Sequence, residues 1–206
     1  MVLMKKFFRS KDDDYENLSV VTGSMRLVLK GLHKGMIPHK SYTEEQILDF
    51  CRSLISHQAS DGSWPVFKEE YAESISEEDR IDFLFFPTQI ACAILSYTKQ
   101  NFPSASKLSD LDESLIAGLK FSVSRNLEGY GYNSPFQKIE SLHIFIEGSV
   151  IELLNSDPRI CPPCYNCLIE AKEEILEALE KGETKMEYGG DYRDQYELVL
   201  KGLENI

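Results

Sequence analysis

Three cysteines have the most chemically suggestive spacing in the chain, Cys161, Cys164 and Cys167 in a Cys-x-x-Cys-x-x-Cys pattern. Thiolates at this spacing can converge on one cation, which predicts a zinc site with His143 or water as the fourth ligand. Cys161 and Cys164 also suit a redox pair, because a helix N-terminus lowers the pKa of a thiol. The two prolines between them favour a third interpretation, in which they start a helix and the cysteines pack as small apolar side chains. The sequence leaves all three open.

A second set of candidates lies in two strongly apolar segments and consists of Phe85, Phe86, Gln89, Tyr97, His143 and Phe145. If these segments line a concave hollow, the set would suit a hydrophobic or planar small molecule. Packing in the core is the favoured alternative for most of them. His143, on an apolar face, would then be a core histidine whose ring nitrogens are hydrogen-bonded.

The chain contains no Gly-rich phosphate loop, no nucleophile elbow and no His-Glu-x-x-His motif. Its 206 residues include 22 basic and 34 acidic side chains, giving a net charge of −12. Binding to nucleic acid or to anionic membranes needs a surplus of basic residues that displace counterions, so this charge disfavours both. The sequence therefore predicts neither a reaction nor a nucleic-acid partner.

Location is predicted from the apolar runs and the cysteine count. No stretch approaches the ~20 apolar residues of a membrane span, and no apolar run follows the Lys-Lys pair near the N-terminus. Five cysteines is an odd number, and Cys51 and Cys92 fall within apolar helical patterns. Thiols outside disulfides are typical of a reducing compartment, so the chain is predicted to be cytoplasmic.

The apolar residues recur with helical period, and no convincing strand is found. Residues 1–17 are predicted to be a flexible lead-in and residues 18–206 a single domain. The predicted helices cover 24–36, 43–58, 86–100, 110–126, 138–155, 163–181 and 192–203.

Two details locate the predicted helices. Thr43-Glu-Glu-Gln46 predicts a capping box at the start of the second helix, and Pro87 suits the first turn of the third. In the sixth helix the apolar residues are assigned to one face, and the charged face is interpreted as solvated surface.

The stretch that organises the chain is Gln58-x-x-x-Gly62-x-Trp64, which follows an amphipathic helix. Gly62 comes after an aspartate, a strong turn signal. A weaker copy, Asn126-x-x-Gly129-x-Gly131, follows the helix predicted over 110–126. The chain is therefore predicted to consist of repeated helical hairpins.

This motif resembles the QW repeat of the terpenoid cyclase and protein prenyltransferase superfamily. Phe86-Pro87-Thr88 resembles the Pro-Thr entry to an inner helix in the same family, and the resemblance covers roughly residues 43–155. It implies an α/α toroid in which Gln58 ties one outer helix to the next and Trp64 packs beside it. Gln58, Gly62, Trp64 and Gly129 would then be structural staples rather than catalytic groups.

The chain also departs from that family. About seven helices can form only a partial toroid, which a second copy or a protein partner would complete. The Asp-x-Asp-Asp motif of squalene-type cyclases and the zinc-ligand motif of prenyltransferases are absent from the sequence.

Ligand or protein binding without an assigned reaction is therefore the expected function. One alternative is a cyclase-like or prenyltransferase-like enzyme that acts on a hydrophobic substrate with acids from loops 65–79 or 128–137. The other is a metal-binding or redox protein based on the three cysteines.

Overall fold

The computed structural model describes residues 43–64, 85–127, 135–185 and 190–206. Within these ranges the chain forms α-helices, two short 3-10 turns at Pro103–Lys107 and Pro158–Ile160, and no strand beyond an isolated bridge. The helices are Glu44–Ser56 (α1), Phe86–Asn101 (α2), Leu111–Leu127 (α3), Pro135–Glu147 (α4), Val150–Ser156 (α5), Pro162–Lys181 (α6) and Arg193–Gly202 (α7). The predicted all-α class is confirmed.

Helix α2 is the central element of the described fold. It contacts α1, α3, α4 and α5, and it is buried from Phe86 to Ser96 and again at Thr98. A helix that is apolar nearly all round belongs in a protein interior, because it has no polar face to turn toward water. Pro87 lies in its first turn, as predicted.

Helix α1 begins at the predicted capping box. The Thr43 backbone N–H donates to Gln46 Oε1 at 3.0 Å, and the Gln46 N–H donates to Thr43 Oγ1 at 3.2 Å. The reciprocal bonds satisfy two of the backbone donors that a helix start leaves without partners. The bounds of α1, α2, α3, α6 and α7 lie within two residues of their predicted bounds.

The single helix predicted over 138–155 is wrong, because the chain breaks between α4 and α5. Ser149 has a left-handed φ of 53°, and a Cβ at Gly148 would lie 2.4 Å from Ala93 of α2. The close approach to α2 bends the chain here. The carbonyl of Ser149 accepts the first backbone bond of α5, from Leu153 at 3.1 Å, and also a bond of 2.7 Å from the side-chain amide of Gln100.

The apolar face predicted for α6 is buried along one edge and exposed along the other. Leu168 and Ile175 are buried, whereas Ile169 and Leu176 are 38% and 40% exposed. The helix therefore has a second, exposed apolar pair beside the buried stripe.

Several predictions lie outside the described residues: the lead-in 1–17, the helix 24–36, the loop 65–79 and Gly129. The loop predicted over 128–137 overlaps the start of α4 at Pro135. In the described part of the chain, no helix is both long and apolar enough to cross a membrane.

Candidate functional site

Gln58 lies just beyond the end of α1 and links that end to α3. Its side-chain amide donates two hydrogen bonds, at 2.9 Å to the carbonyl of Gly62 and at 2.8 Å to the carbonyl of Ser114. Ser114 is in the first turn of α3. The half-buried side-chain amide of Gln58 thus links the turn after α1 to the first turn of α3.

Trp64 is 1% exposed and makes two polar contacts from this buried position. Its ring N–H donates to the carbonyl of Leu54 at 2.8 Å, and its backbone N–H donates to Thr88 Oγ1 at 2.9 Å. A Cβ at Gly118 would lie 2.6 Å from the Trp64 ring, so α3 approaches the ring at a position without a side chain. Trp64 therefore contacts α1, α2 and α3 at once.

Gly62 forms the turn between these two side chains. Its φ of 92° is a conformation that L side chains rarely adopt, and a Cβ there would lie 2.5 Å from the carbonyl oxygen of Ala117. Asp61 holds the turn by accepting from the Ser63 backbone N–H at 2.9 Å and from the Ser63 hydroxyl at 2.7 Å. Both the local conformation and the packing require glycine at this position.

The candidate pocket residues occupy different surroundings. Phe86, Gln89 and Phe145 are buried, and Gln89 Oε1 accepts from the Ser141 hydroxyl at 2.8 Å. Tyr97 is half-buried and packs edge-on against Phe102. It lies eight residues from Gln89, about 12 Å along the helix axis.

The remaining polar groups of α2 also have partners inside the protein. Thr98 Oγ1 donates to the carbonyl of Ile94 at 2.8 Å and accepts from the Cys51 thiol at 3.3 Å. The Ser96 hydroxyl lies 3.3 Å from the carbonyl of Ser149. These contacts, with those of Thr88 and Gln89, are typical of a packed core, in which buried polar groups are hydrogen-bonded.

His143 on α4 differs from these groups. Among the buried side-chain nitrogen and oxygen atoms of the described residues, His143 Nε2 is the one that lacks a hydrogen-bond partner. Glu147, one turn later, is a residue that sequence reasoning missed. Burial raises the pKa of the Glu147 carboxyl, and the nearby His143 opposes that rise. The i, i+4 spacing of a histidine and a glutamate was the signal that could have revealed this pair.

Cys161 and Cys164 are joined in a disulfide with their Cα atoms 5.3 Å apart. The expectation of thiols is therefore wrong at these two positions. Two cysteines three residues apart at a helix start lie within the Cα separation that a disulfide needs. Cys167, one turn further along α6, is outside the bridge.

A disulfide sulfur is not a thiolate ligand, so this arrangement does not form the three-thiolate site. In the described ranges, no three His, Cys, Asp or Glu side chains are grouped so that they could hold a metal ion. His143 is likewise in no such group. Zinc binding at Cys161, Cys164 and Cys167 stays a prediction for the reduced protein.

Comparisons of the chain with known protein families, curated proteins and solved structures found no match.

The outer face of α6 is formed by Ile169, Glu173, Leu176 and Glu180, which are all exposed. The spacing of four, three and four residues places the four side chains along one side of the helix. Glu173 and Glu180 are exposed and form no ion pair with described residues. This surface thus alternates aliphatic and acidic groups. Sequence reasoning missed it because it assigned both aliphatic residues to the buried face.

Proposed function

We propose that the chain is an α/α-hairpin domain of the terpenoid cyclase and prenyltransferase type that acts by binding a protein rather than by catalysis. The partner is a basic amphipathic helix, and it binds to the outer face of α6. The single observation that carries the proposal is the exposed pair Ile169 and Leu176, one heptad apart and alternating with two glutamates.

The contacts of Gln58 and Trp64 support the family relationship. The amide of Gln58 bonds two carbonyls, one of them 56 residues away in α3, and Trp64 packs beside it in the core. These are the roles that the QW resemblance implies for the two residues. A partial toroid of seven helices follows from that relationship and is part of the proposal.

The interior of the described helices supports binding over catalysis. The buried polar side chains of α2, Thr88, Gln89, Ser96 and Thr98, are hydrogen-bonded within the protein, so they do not offer reactive groups to a substrate. Phe86 and Phe145 are 8% and 7% exposed, which leaves little of either ring for a hydrophobic ligand.

The chemistry of the partner follows from the outer face. Burying two aliphatic side chains that are now about two-fifths exposed favours association through the hydrophobic effect. Glu173 and Glu180 attract basic side chains at the rim of the contact and repel acidic ones. A helix with a leucine or methionine stripe bordered by lysine or arginine satisfies both requirements.

Fluorescence anisotropy with a labelled Leu–Lys amphipathic peptide tests the proposed function on the full chain. We expect saturable binding that weakens with added salt, because ions screen exposed charges beyond about 8–10 Å. Replacing Ile169 and Leu176 together with glutamine should weaken binding about tenfold or more, since the variant keeps helix propensity and loses apolar contact.

Leu198→Gln is the matched control, because Leu198 is an exposed leucine on α7 outside this face. It should leave the affinity unchanged. Equal loss in the control and in the Ile169/Leu176 variant, or no binding by the wild-type chain, would contradict the proposed function.

The Cys161–Cys164 disulfide favours a second candidate, a thiol–disulfide redox function. A dithiol reductant would attack one sulfur, form a mixed disulfide and resolve it with its second thiol, leaving two cysteine thiols and an oxidised reductant. Cys161 and Cys164 are 0% and 2% exposed, so this exchange needs local opening of the start of α6. Burial therefore makes redox exchange the weaker candidate.

Thiol counting tests the disulfide and the environments of the other cysteines. In native protein purified without reductant, N-ethylmaleimide should label Cys167 faster than Cys51 and Cys92. Burial raises the pKa of Cys51 to about 11 and also raises that of Cys92, so neither forms much thiolate near neutral pH.

Mass spectrometry should count three labels after denaturation, for the cysteines outside the bridge, and five after denaturation with a reductant. Five labels without a reductant would show that Cys161 and Cys164 are thiols in the purified protein. That result would remove the observation that favours a thiol–disulfide redox function.

A further inference from the structure

We propose that Cys167 is an internal nucleophile that moves the disulfide one turn along α6, from Cys161–Cys164 to Cys164–Cys167. The inference rests on the second candidate function, thiol–disulfide exchange, because it supplies a route by which the buried bridge reacts. It is independent of peptide binding, since none of the three cysteines belongs to the outer face of α6.

The three cysteines lie in a row at the start of α6. Cys161 is the N-cap of the helix, Cys164 is in its first turn, and Cys167 follows one turn later. Residues three apart on a helix are neighbours, with their Cβ atoms about 5–6 Å apart. Cys164 therefore lies between two cysteines, and the one to which it is bonded is 5.3 Å away between Cα atoms.

The burial of the side chains decreases along this row. Cys161 and Cys164 are 0% and 2% exposed, whereas Cys167 is half-buried and packs against the core. An external thiol reaches a bridged sulfur only after the start of α6 opens locally. Cys167 needs no such opening, because it is already one turn away in the same helix. Moving the bridge also places one of its two residues at a position that solvent reaches.

Closing the second bridge needs only a small movement of the first turn. A disulfide holds its two Cβ atoms about 3.5–4.5 Å apart, so Cys164 and Cys167 must approach each other by about 1–2 Å. The two prolines before Cys164 have no N–H, and the Cys164 N–H has no carbonyl one turn earlier within the helix. Tyr165 makes the first backbone bond of α6, to the Cys161 carbonyl at 3.1 Å. A shift of Cys164 therefore disturbs few backbone hydrogen bonds.

The exchange balances without an added reagent. The Cys167 thiol loses its proton, its sulfur bonds to the Cys164 sulfur, and the bond between Cys164 and Cys161 breaks. The released Cys161 takes up a proton, so one thiol and one disulfide remain in the row. A dithiol reductant then attacks the Cys167 sulfur and releases Cys164 as a thiol. Its second thiol resolves the mixed disulfide, which leaves three protein thiols and an oxidised reductant.

The first test locates the thiol within the row. The full chain, purified without reductant, is held at mildly alkaline pH and quenched with acid, which stops attack by thiolates. It is then labelled with N-ethylmaleimide in denaturant under mildly acidic conditions. Tandem mass spectrometry should find the label on Cys161 in one fraction of the molecules and on Cys167 in the rest.

The position of the label separates the inference from the candidate function on which it rests. A label on Cys167 alone would overturn movement of the bridge and leave exchange with external thiols standing. Labels on all three cysteines would overturn both, because no bridge would then be present.

The second test measures how fast an excess of a dithiol reduces the bridge in the native full chain. Cys167→Ser should slow reduction about tenfold or more, because it removes a nucleophile held at high effective concentration and leaves only attack from outside. Local unfolding caused by the substitution would expose the bridge and speed reduction, so it does not mimic the expected result.

Asn166→Ser is the matched control for this rate. It places serine at the neighbouring exposed position of the same turn, and asparagine, cysteine and serine have similar helix propensities. Because the variant keeps Cys167, its rate should equal that of the wild-type chain. Equal rates in Cys167→Ser and wild type would overturn the inference.

Discussion

Replacing Trp64 with alanine is expected to lower the free energy of unfolding by about 3–5 kcal/mol, the usual cost of removing a large buried aromatic side chain. The ring is 1% exposed and lies among α1, α2 and α3, so its loss leaves a cavity at the junction of three helices. The change also leaves the Leu54 carbonyl without the hydrogen bond that it accepts from the ring N–H at 2.8 Å. Urea denaturation followed by circular dichroism measures the loss.

Two controls separate volume from hydrogen bonding. Trp64→Phe keeps most of the buried ring and loses the bond to Leu54. The free energy of unfolding of this variant should therefore lie between those of wild type and Trp64→Ala. Leu198→Ala removes a side chain that is 54% exposed and should change stability by no more than about 0.5 kcal/mol. If Trp64→Ala fell in that same range, Trp64 would not be a structural staple.

The parts of the fold that the sequence predicted depend on interactions between residues close together in the chain. The start of α1 follows from Thr43 and Gln46, which cap their own helix through bonds three residues apart. The start of α2 follows from Pro87, whose missing N–H costs nothing in a first helical turn. Neither feature needs knowledge of a distant partner.

The features that the sequence did not predict depend on contacts between distant residues. The apolar period runs without interruption through Gly148, and the break there reflects the approach of Ala93, 55 residues earlier. The exposure of Ile169 and Leu176 depends on which side of α6 the other helices cover. The five apolar residues of the pattern form one broad face, so their spacing alone does not show which edge of that face is buried.

The candidate site also contains features that the sequence predicted and features that it did not predict. The spacing of Cys161 and Cys164 suits a metal, a disulfide or a helix start, and only the structure shows that the two residues are joined in a disulfide. The lack of a hydrogen-bond partner at His143 Nε2 depends on the burial of that atom, which the sequence does not reveal. Trp64 and Gln58 were found in the sequence because an unusual residue pair at fixed spacing resembles a known repeat.

Replacing Gly62 with alanine is expected to cost about 3 kcal/mol, because the change adds a steric clash to an unfavourable backbone conformation. At a φ of 92° the new Cβ would lie 2.5 Å from the carbonyl oxygen of Ala117, which belongs to the backbone of α3 and cannot rotate away. Relief of the clash requires the turn to move away from α3. That movement would also lengthen the hydrogen bond from Gln58 to Ser114, which is 2.8 Å in the native turn.

Gly182→Ala is a matched control that isolates the conformational part of this cost. Gly182 also has a left-handed φ, 71°, but a Cβ there would meet no atom within 4 Å. Its replacement should therefore cost only about 1–2 kcal/mol, the penalty of the left-handed conformation for an L residue. Denaturation of both variants measures the difference, which is the contribution of the contact with Ala117. Equal costs would mean that the turn relaxes away from α3 without penalty, and the linkage of α1 to α3 would then depend on Gln58 and Trp64 without help from the close packing of Gly62.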